Sequence, residues 1–399
     1  MKILQITSKV PYPPIDGKAI ATLNLSKSFR ELGHEVTILA MNTQEHYLNP
    51  EDLPEELKML FKWHLVDVPA KTSVSGALWN LFASKLPYNA ESLISLNFRD
   101  KLIDLLQKED FDVVQLEGLY LCPYISDIRL FTKALIALRA HNIEHEIWKR
   151  KMKQATGLRK RYVSIISHRI KQFEHDYINQ YDVLIPITSR DGKIFNKMGN
   201  HRPVHVAQTG INPGVFFPDH TKEKFPSLFF LGALDWPPNQ EGLEWFFEHC
   251  WNPILEKCPE TELVVAGRNA PSGFIKKLKL PNVNFLGEVE DAYEFMNAHA
   301  VMIAPVLTGS GMRVKVVEGM AMEKSIVTTT IGTEGIPTTS GENIILANTP
   351  EDFSEGVIRL LTDQQYHRQI GENARKFIEE KFDNQVIATN LIDFYKRNL

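Results

Sequence analysis

At 399 residues, with 43% hydrophobic and 24% charged side chains and no low-complexity tract, the chain is too long for one ordinary core and predicts a soluble protein of two similar domains. A formal charge of -4 excludes a global attraction to nucleic acid or anionic lipid, and three cysteines at no metal-like spacing (Cys122, Cys250, Cys258) predict free thiols rather than a disulfide framework. The opening MKILQITSKV falls far short of a signal-peptide core and no apolar run approaches the ~20 residues of a membrane span, so the expected location is the cytoplasm.

In chain order, KILQIT predicts a strand, followed by the loop SKVPYPPIDGK and an amphipathic helix in which Ile20, Leu23, Leu25, Phe29 and Leu32 recur near helical spacing. Gly33 ends that helix and EVTILA predicts the next strand. Further short apolar runs at FDVVQL, ALIALRA and YDVLIPIT alternate with helix-like stretches, the pattern of a parallel sheet covered on both faces. After a pause at Pro203 a second alternation runs through SLFFLGAL, ELVVAG, VNFLGE, VMIAPV, SIVTTT and NIILAN. The fold class is therefore α/β, with two doubly wound, Rossmann-like domains in tandem facing a central cleft. The expected domains span 1–203 and 204–382, with a last amphipathic helix over 383–399 packing back on the first domain. In such sheets ligands bind at the carboxyl ends of strands, near the switch point and often at a helix N-terminus.

The segment LTGSGMRVKVVEGMAMEKSIVTTTIGTEGI, from Leu307 to Ile336, follows the strand VMIAPV and reads as a strand-to-helix turn. Gly309 and Gly311 permit backbone conformations closed to larger residues, and the helix after them is expected to bury Val314, Val317 and Ala321. Its free N–H groups and dipole favour an anion, and Arg313 and Lys315 add two mobile cations. Cations are the wrong sign for stabilising a helix N-terminus, so their presence points to an anionic ligand. Glu318 could accept paired hydrogen bonds from vicinal hydroxyls such as those of a ribose. Phosphate with diol suggests a nucleotide. The plainer reading, a Lys315–Glu318 surface pair beside a glycine loop, stands on the same spacing.

The arrangement GSG-x-R-x-K-x-x-EGMA followed by SIVTTTIGTEGI resembles the donor-site signature of retaining glycosyltransferases of the GT-B fold, family 4. Other pieces resemble that family in order over nearly the whole chain: PYPPIDGKAIATLNLSKSFRELGHEVTIL, HNIEHEIWKR, TSRDGKIF, TGINPGVFFP and FLGALDWPPNQEGLEWF. Two departures stand out. The family often carries two glutamates in this segment; with Glu318 as the second, the first falls on Ser310. Many members also hold the pyrophosphate with an Arg and a Lys on the loop after the first donor-domain strand, whereas GALDWPPNQEG has no cation, which leaves Arg313 and Lys315 to replace them. Arg268, in AGRN after another strand, is a further donor-binding candidate.

His141 follows the strand ALIALRA, and the resemblance places it by the donor sugar. The HNIEH spacing also resembles a metal site, but the metalloprotease pattern needs Glu directly after the first His. Gly17, with Asp16 and Lys18, is expected near the phosphates or the acceptor. The resemblance implies transfer of a sugar from a nucleotide-diphosphate co-substrate to an acceptor hydroxyl, with retention and without a metal, in polysaccharide or glycolipid synthesis. The acceptor would be a sugar or lipid-linked sugar. The apolar VSGALWNLFASKLPY, with Trp79, Leu81, Phe82 and Leu86, and the basic WKRKMKQATGLRKRY suit peripheral membrane contact, although a core-packing helix and a solvated face are the favoured readings. A nucleotide-sugar epimerase or hydrolase and a non-catalytic binding protein are the competing readings; a dehydrogenase is disfavoured because no G-x-G-x-x-G follows the first strand.

Overall fold

The computed structural model describes residues 1–69, 76, 79–81, 84–309 and 312–399. They form two compact units, Met1–Gly210 with Asn384–Leu399, and Ile211–Asp383. In the first unit, β1 (Lys2–Thr7), β2 (Glu35–Thr43), β3 (Lys62–Val68), β4 (Val113–Glu117), β5 (Leu135–Ala140) and β6 (Val183–Pro186) pair in the order β3-β2-β1-β4-β5-β6. Every pairing is parallel. Strands β4, β5 and β6 are buried at every residue, as a sheet with helices on both faces requires. The edge strand β3 is half-exposed along its length and lacks the apolar run that marks the others, which is why the sequence reading passed over it.

The helix Gly17–Glu31 starts at Asp16, whose side chain accepts from the Ala19 N–H at 3.0 Å. It ends in a double closure: Gly33 N–H donates to the Arg30 carbonyl and His34 N–H to the Phe29 carbonyl, with Gly33 at φ +82°. The last helix, Asn384–Asn398, belongs to this unit and buries Ile387, Leu391, Ile392 and Tyr395 in one cluster with Leu23, Leu25 and Phe29.

In the second unit, β7 (Lys224–Leu231), β8 (Leu263–Ala266), β9 (Val283–Gly287), β10 (His299–Ala304), β11 (Ser325–Thr328) and β12 (Ile345–Leu346) pair in the order β12-β11-β10-β7-β8-β9, again all parallel. The helix Val314–Ala321 buries Val316, Val317, Met320 and Ala321, whereas Val314 is 38% exposed. The expected inward stripe is corrected at its start: the first turn opens at Val314, so that residue faces out and Val316 takes its place. Both sheets reverse direction beside their first strand, between β1 and β4 and between β7 and β10. These are the two switch points at which ligands of such sheets bind.

Trp79 is 74% exposed and Leu86 packs partly against the first unit's core, while Phe82 lies outside the described residues. Among the described residues no helix is long and apolar enough to cross a membrane.

Candidate active site

At the second unit's switch point the carboxyl ends of β7 and β10 open onto a cavity of about 310 Å3. Its walls are Phe230–Ala233 at the end of β7 and just beyond it, Met302–Ala304 at the end of β10 with Val306 beyond, Trp236 and Asn239 at the start of the helix Pro237–His249, and Met312–Val316 at the start of Val314–Ala321. That size lies at the lower end of ligand sites, and the lining is mostly apolar with a few polar groups, as such sites are.

Two helices begin here, and they differ in what they offer. In both, the third and fourth N–H groups turn back to the N-cap carbonyl (Asn239 and Gln240 to Trp236, Val316 and Val317 to Arg313), but the first two positions are Pro237 and Pro238, without N–H, in one helix and Val314 and Lys315 in the other. The second helix starts at Val314 with Arg313 as its N-cap and no side-chain cap. An anion at this switch point therefore meets donors on the Val314–Ala321 side. The Arg313 guanidinium stacks on the Trp236 ring, 5.1 Å from its centroid, and Nη2 lies 3.4 Å from the Thr308 carbonyl oxygen. Only 9% of Arg313 is exposed, so it is not the mobile charge expected of it; burial lowers its pKa, and Glu334 pulls it back. Gly309, at φ +100°, is wedged against this stack: a Cβ there would meet Arg313 Nη2 at 3.1 Å and Trp236 at 3.2 Å.

Lys315 lines the cavity and pairs with Glu318 at 2.8 Å, so the surface pair foreseen from the spacing is formed. Ser310 and Gly311 lie outside the described residues. Arg268 is exposed and does not line the cavity; its backbone carbonyl accepts from the Leu234 N–H. Trp236 and Asn239 went unnoticed in the sequence, where the signal was an aromatic between a strand end and a Pro-Pro helix start.

The first unit's switch point carries a polar cluster. Glu117, the last residue of β4, is fully buried, and its Oε2 lies 2.7 Å from His141 Nε2, 3.3 Å from Thr22 Oγ1 and 3.6 Å from an Arg139 nitrogen. A lone acid closing the apolar run VVQLE could have flagged it, since buried carboxylates need partners. His141 lines a small pocket with Ser8, Lys18, Gly118, Asn142 and Glu144. Lys18 Nζ donates to Ser8 Oγ at 2.9 Å, and burial pushes its ammonium down to about 8 against the pull of Glu117 and Glu144. Gly17 opens the helix that carries Lys18, and a Cβ there would meet nothing within 4 Å.

The rest of HNIEH is held by other groups. Tyr120 donates to Glu144 at 2.9 Å, and His145 Nδ1 lies 2.5 Å from Glu174, which also accepts from the Glu144 N–H. His141 and His145 thus face different carboxylates. In TSRD, Thr188 accepts from the Asp191 N–H, a helix cap.

Burial works against charge on both Glu117 and His141. For His141 burial wins over Glu117 and lowers the imidazole from 6.5 to about 4. For Glu117 burial would raise the carboxyl, but Arg139 and His141 outweigh it and hold it down from 4.5 to about 2. Each group binds its proton less readily folded than unfolded, so each removes stability on acidification. Urea midpoints should hold above pH 6.5 and fall as His141 responds between 6.5 and about 4 and Glu117 between 4.5 and about 2. A midpoint that rises on acidification through this window would contradict the cluster.

Residues 225–363 match the family model described as Glycosyl transferases group 1. An uncharacterized 44.6 kDa protein in the cps region of Klebsiella pneumoniae is 24% identical over 98% of both chains. The capsular polysaccharide biosynthesis glycosyltransferase CapM of Staphylococcus aureus is 30% identical over 29% of this chain and 30% of its own length. Among solved structures, sucrose-phosphate synthase from Thermosynechococcus elongatus has a TM-score of 0.68 at 14% identity, over 100% of this chain and 99% of its own. HepE of Anabaena, in complex with UDP, has a TM-score of 0.63 at 13% identity over 100% of both. At such identities the likeness carries the fold alone. With two Rossmann-like parallel sheets the chain has the GT-B fold, and most of its second unit matches the model of the glycosyl transferases group 1 family.

Proposed function

We propose that the protein transfers a sugar from a nucleotide-diphosphate sugar to an acceptor hydroxyl, with retention at the anomeric carbon, in the synthesis of a surface polysaccharide or glycan. The observation that carries this reading is the second unit's cavity, where a helix N-terminus, Arg313 stacked on Trp236, and Lys315 meet at the β7/β10 switch point, with Glu318 just beyond the cavity wall on the same helix and paired to Lys315. A nucleoside fits the apolar wall. The diphosphate takes the N–H groups at Val314 and the Arg313 guanidinium, and Glu318 exchanges its Lys315 partner for the ribose hydroxyls.

The leaving diphosphate gains negative charge as the glycosidic bond breaks. A buried cation and a fixed helix dipole stabilise that charge more in the transition state than in the ground state. The departing phosphate oxygen takes the acceptor proton on the same face, so no protein nucleophile is required. The partial CapM likeness supports a role in polysaccharide synthesis.

A thermal-shift panel of UDP, GDP, ADP and their sugars tests the reading. One nucleotide at ~100 times its dissociation constant should add about 2.7 kcal/mol of stability. No response to any of them would remove the donor site. Turnover of the nucleotide sugar without an acceptor would favour a hydrolase or epimerase instead.

A further inference from the structure

We infer that Glu117, oriented by Gln115 and through it by Tyr395 of the C-terminal helix, holds His141 as the tautomer protonated on Nε2 and leaves Nδ1 as an acceptor for a ligand hydroxyl in the first unit's pocket. That the ligand is a sugar of the transfer reaction rests on the proposed function; the tautomer does not.

The assignment follows from donor and acceptor bookkeeping. Tyr395 Oη donates to Gln115 Oε1 at 2.6 Å, which turns the Gln115 amide nitrogen toward Glu117 Oε1, where the two are in close contact. Gln5 Nε2 reaches the same oxygen at 3.5 Å, while its own Oε1 accepts from Ser26 at 2.5 Å. Thr22 Oγ1 lies 3.3 Å from Glu117 Oε2, and the Arg139 guanidinium is 3.6 Å away, tied by the same nitrogen to the Ala21 carbonyl.

The Gln5, Gln115 and Arg139 nitrogens can only donate, and a proton on Oε2, passed toward Thr22 Oγ1 or His141 Nε2, would leave the buried Arg139 guanidinium without the counter-charge 3.6 Å away, so the carboxyl is ionised. An ionised carboxylate can only accept. The His141 Nε2 at 2.7 Å from it must therefore carry hydrogen. A second proton, on Nδ1, would add a buried cation beside Arg139 and Lys18, with Glu117 already engaged and Glu144 across the pocket bonded to Tyr120. The neutral form remains, with Nδ1 as the acceptor that His141 offers where it lines the pocket. Glu117, Gln115 and Tyr395 are positioning residues: they act through His141.

The test uses the full chain labelled with 15N-histidine, with His141→Asn to assign the signal. At pH 7.5 His141 should show a protonated Nε2 and a bare Nδ1, unchanged down to about pH 5 given an imidazole lowered to about 4. Glu117→Gln should invert the tautomer. Its carbonyl oxygen will turn to the Gln115 and Gln5 donors, and its NH2 group will then face Nε2 and require an acceptor there. Tyr395→Phe keeps the ring, frees the Gln115 oxygen, and should bring up a fraction of the Nδ1–H form.

A wild-type His141 protonated on Nδ1 at pH 7.5 overturns the proposal even if neither variant folds. A Glu117→Gln protein that keeps the wild-type pattern removes Glu117 from the role, and an unchanged Tyr395→Phe spectrum removes Tyr395. In transfer assays Glu117→Gln should lower kcat up to about tenfold, the scale of one hydrogen bond, while the second unit's nucleotide shift stays the same. Failure of every nucleotide to bind would end the transfer reading and leave the tautomer result standing.

Discussion

Arg313→Ala should lower sugar transfer by about 10²–10³-fold, the cost of removing one pre-positioned donor from a developing anion. The side chain is held before any ligand arrives. The guanidinium lies 5.1 Å over the Trp236 ring, with Nη2 3.4 Å from the Thr308 carbonyl oxygen, and the residue is 9% exposed, so little entropy is lost when a diphosphate engages it. Lys315 is not held in the same way: its side chain is 42% exposed and rests on Glu318 until the ligand arrives. Arg313→Lys should recover little, because an ammonium has no planar fork to lie on Trp236 and grip two phosphate oxygens together.

The effect should be selective as well as large. Binding of the nucleoside diphosphate should weaken far more than binding of the nucleoside in Arg313→Ala, whereas Glu318→Ala should weaken both. Isothermal titration of the two ligands against the two variants separates these cases. Equal losses for nucleoside and diphosphate in Arg313→Ala would take Arg313 out of the phosphate role.

Much of the architecture was legible because parallel strands covered on both faces read as continuous apolar runs. FDVVQL, ALIALRA and SIVTTT correspond to β4, β5 and β11. The strand β3 was not legible, since an edge strand with half-exposed residues carries no such run. The Leu307–Ile336 segment could be placed at a strand end from its glycines and the strand before it. What Arg313 rests on could not, because Trp236 belongs to a loop after a different strand and reaches it only through the order of the sheet.

The same holds for the first unit. Glu117 meets His141 across 24 positions, and Gln115 meets Tyr395 across 280. A polar residue inside an apolar strand announces that it needs a partner, but only the fold says which one. Conversely, the Lys315–Glu318 pair was visible in the spacing because contacts three apart on a helix are local.

Gly242→Ala should be the most damaging single methyl group in the second unit. Gly242 lies in the middle of the helix Pro237–His249, where alanine is ordinarily favoured over glycine by about 1 kcal/mol. A Cβ at this position would stand 1.7 Å from the Pro305 carbonyl oxygen and 2.8 Å from its carbon. Those are backbone atoms, so no rotamer can relieve the overlap. Either the helix lifts off the sheet, taking the buried Leu243 and Phe246 with it, or the chain after β10 moves.

Overpacking of this kind typically costs 1–3 kcal/mol, and its upper end less the helix preference leaves a net loss of about 2 kcal/mol, or roughly 4–8 °C in the unfolding midpoint of a unit this size. Pro305 sits between Ala304 and Val306, both in the cavity wall, so the nucleotide-induced shift should shrink along with the midpoint. Gly273→Ala is the control. It lies in the helix Ser272–Lys277, its Cβ would meet nothing within 4 Å, and alanine there should leave the midpoint unchanged or raise it. Thermal unfolding of both variants with and without the bound nucleotide decides the matter: a Gly242→Ala protein as stable as Gly273→Ala would mean that the helix is not seated on Pro305 as described.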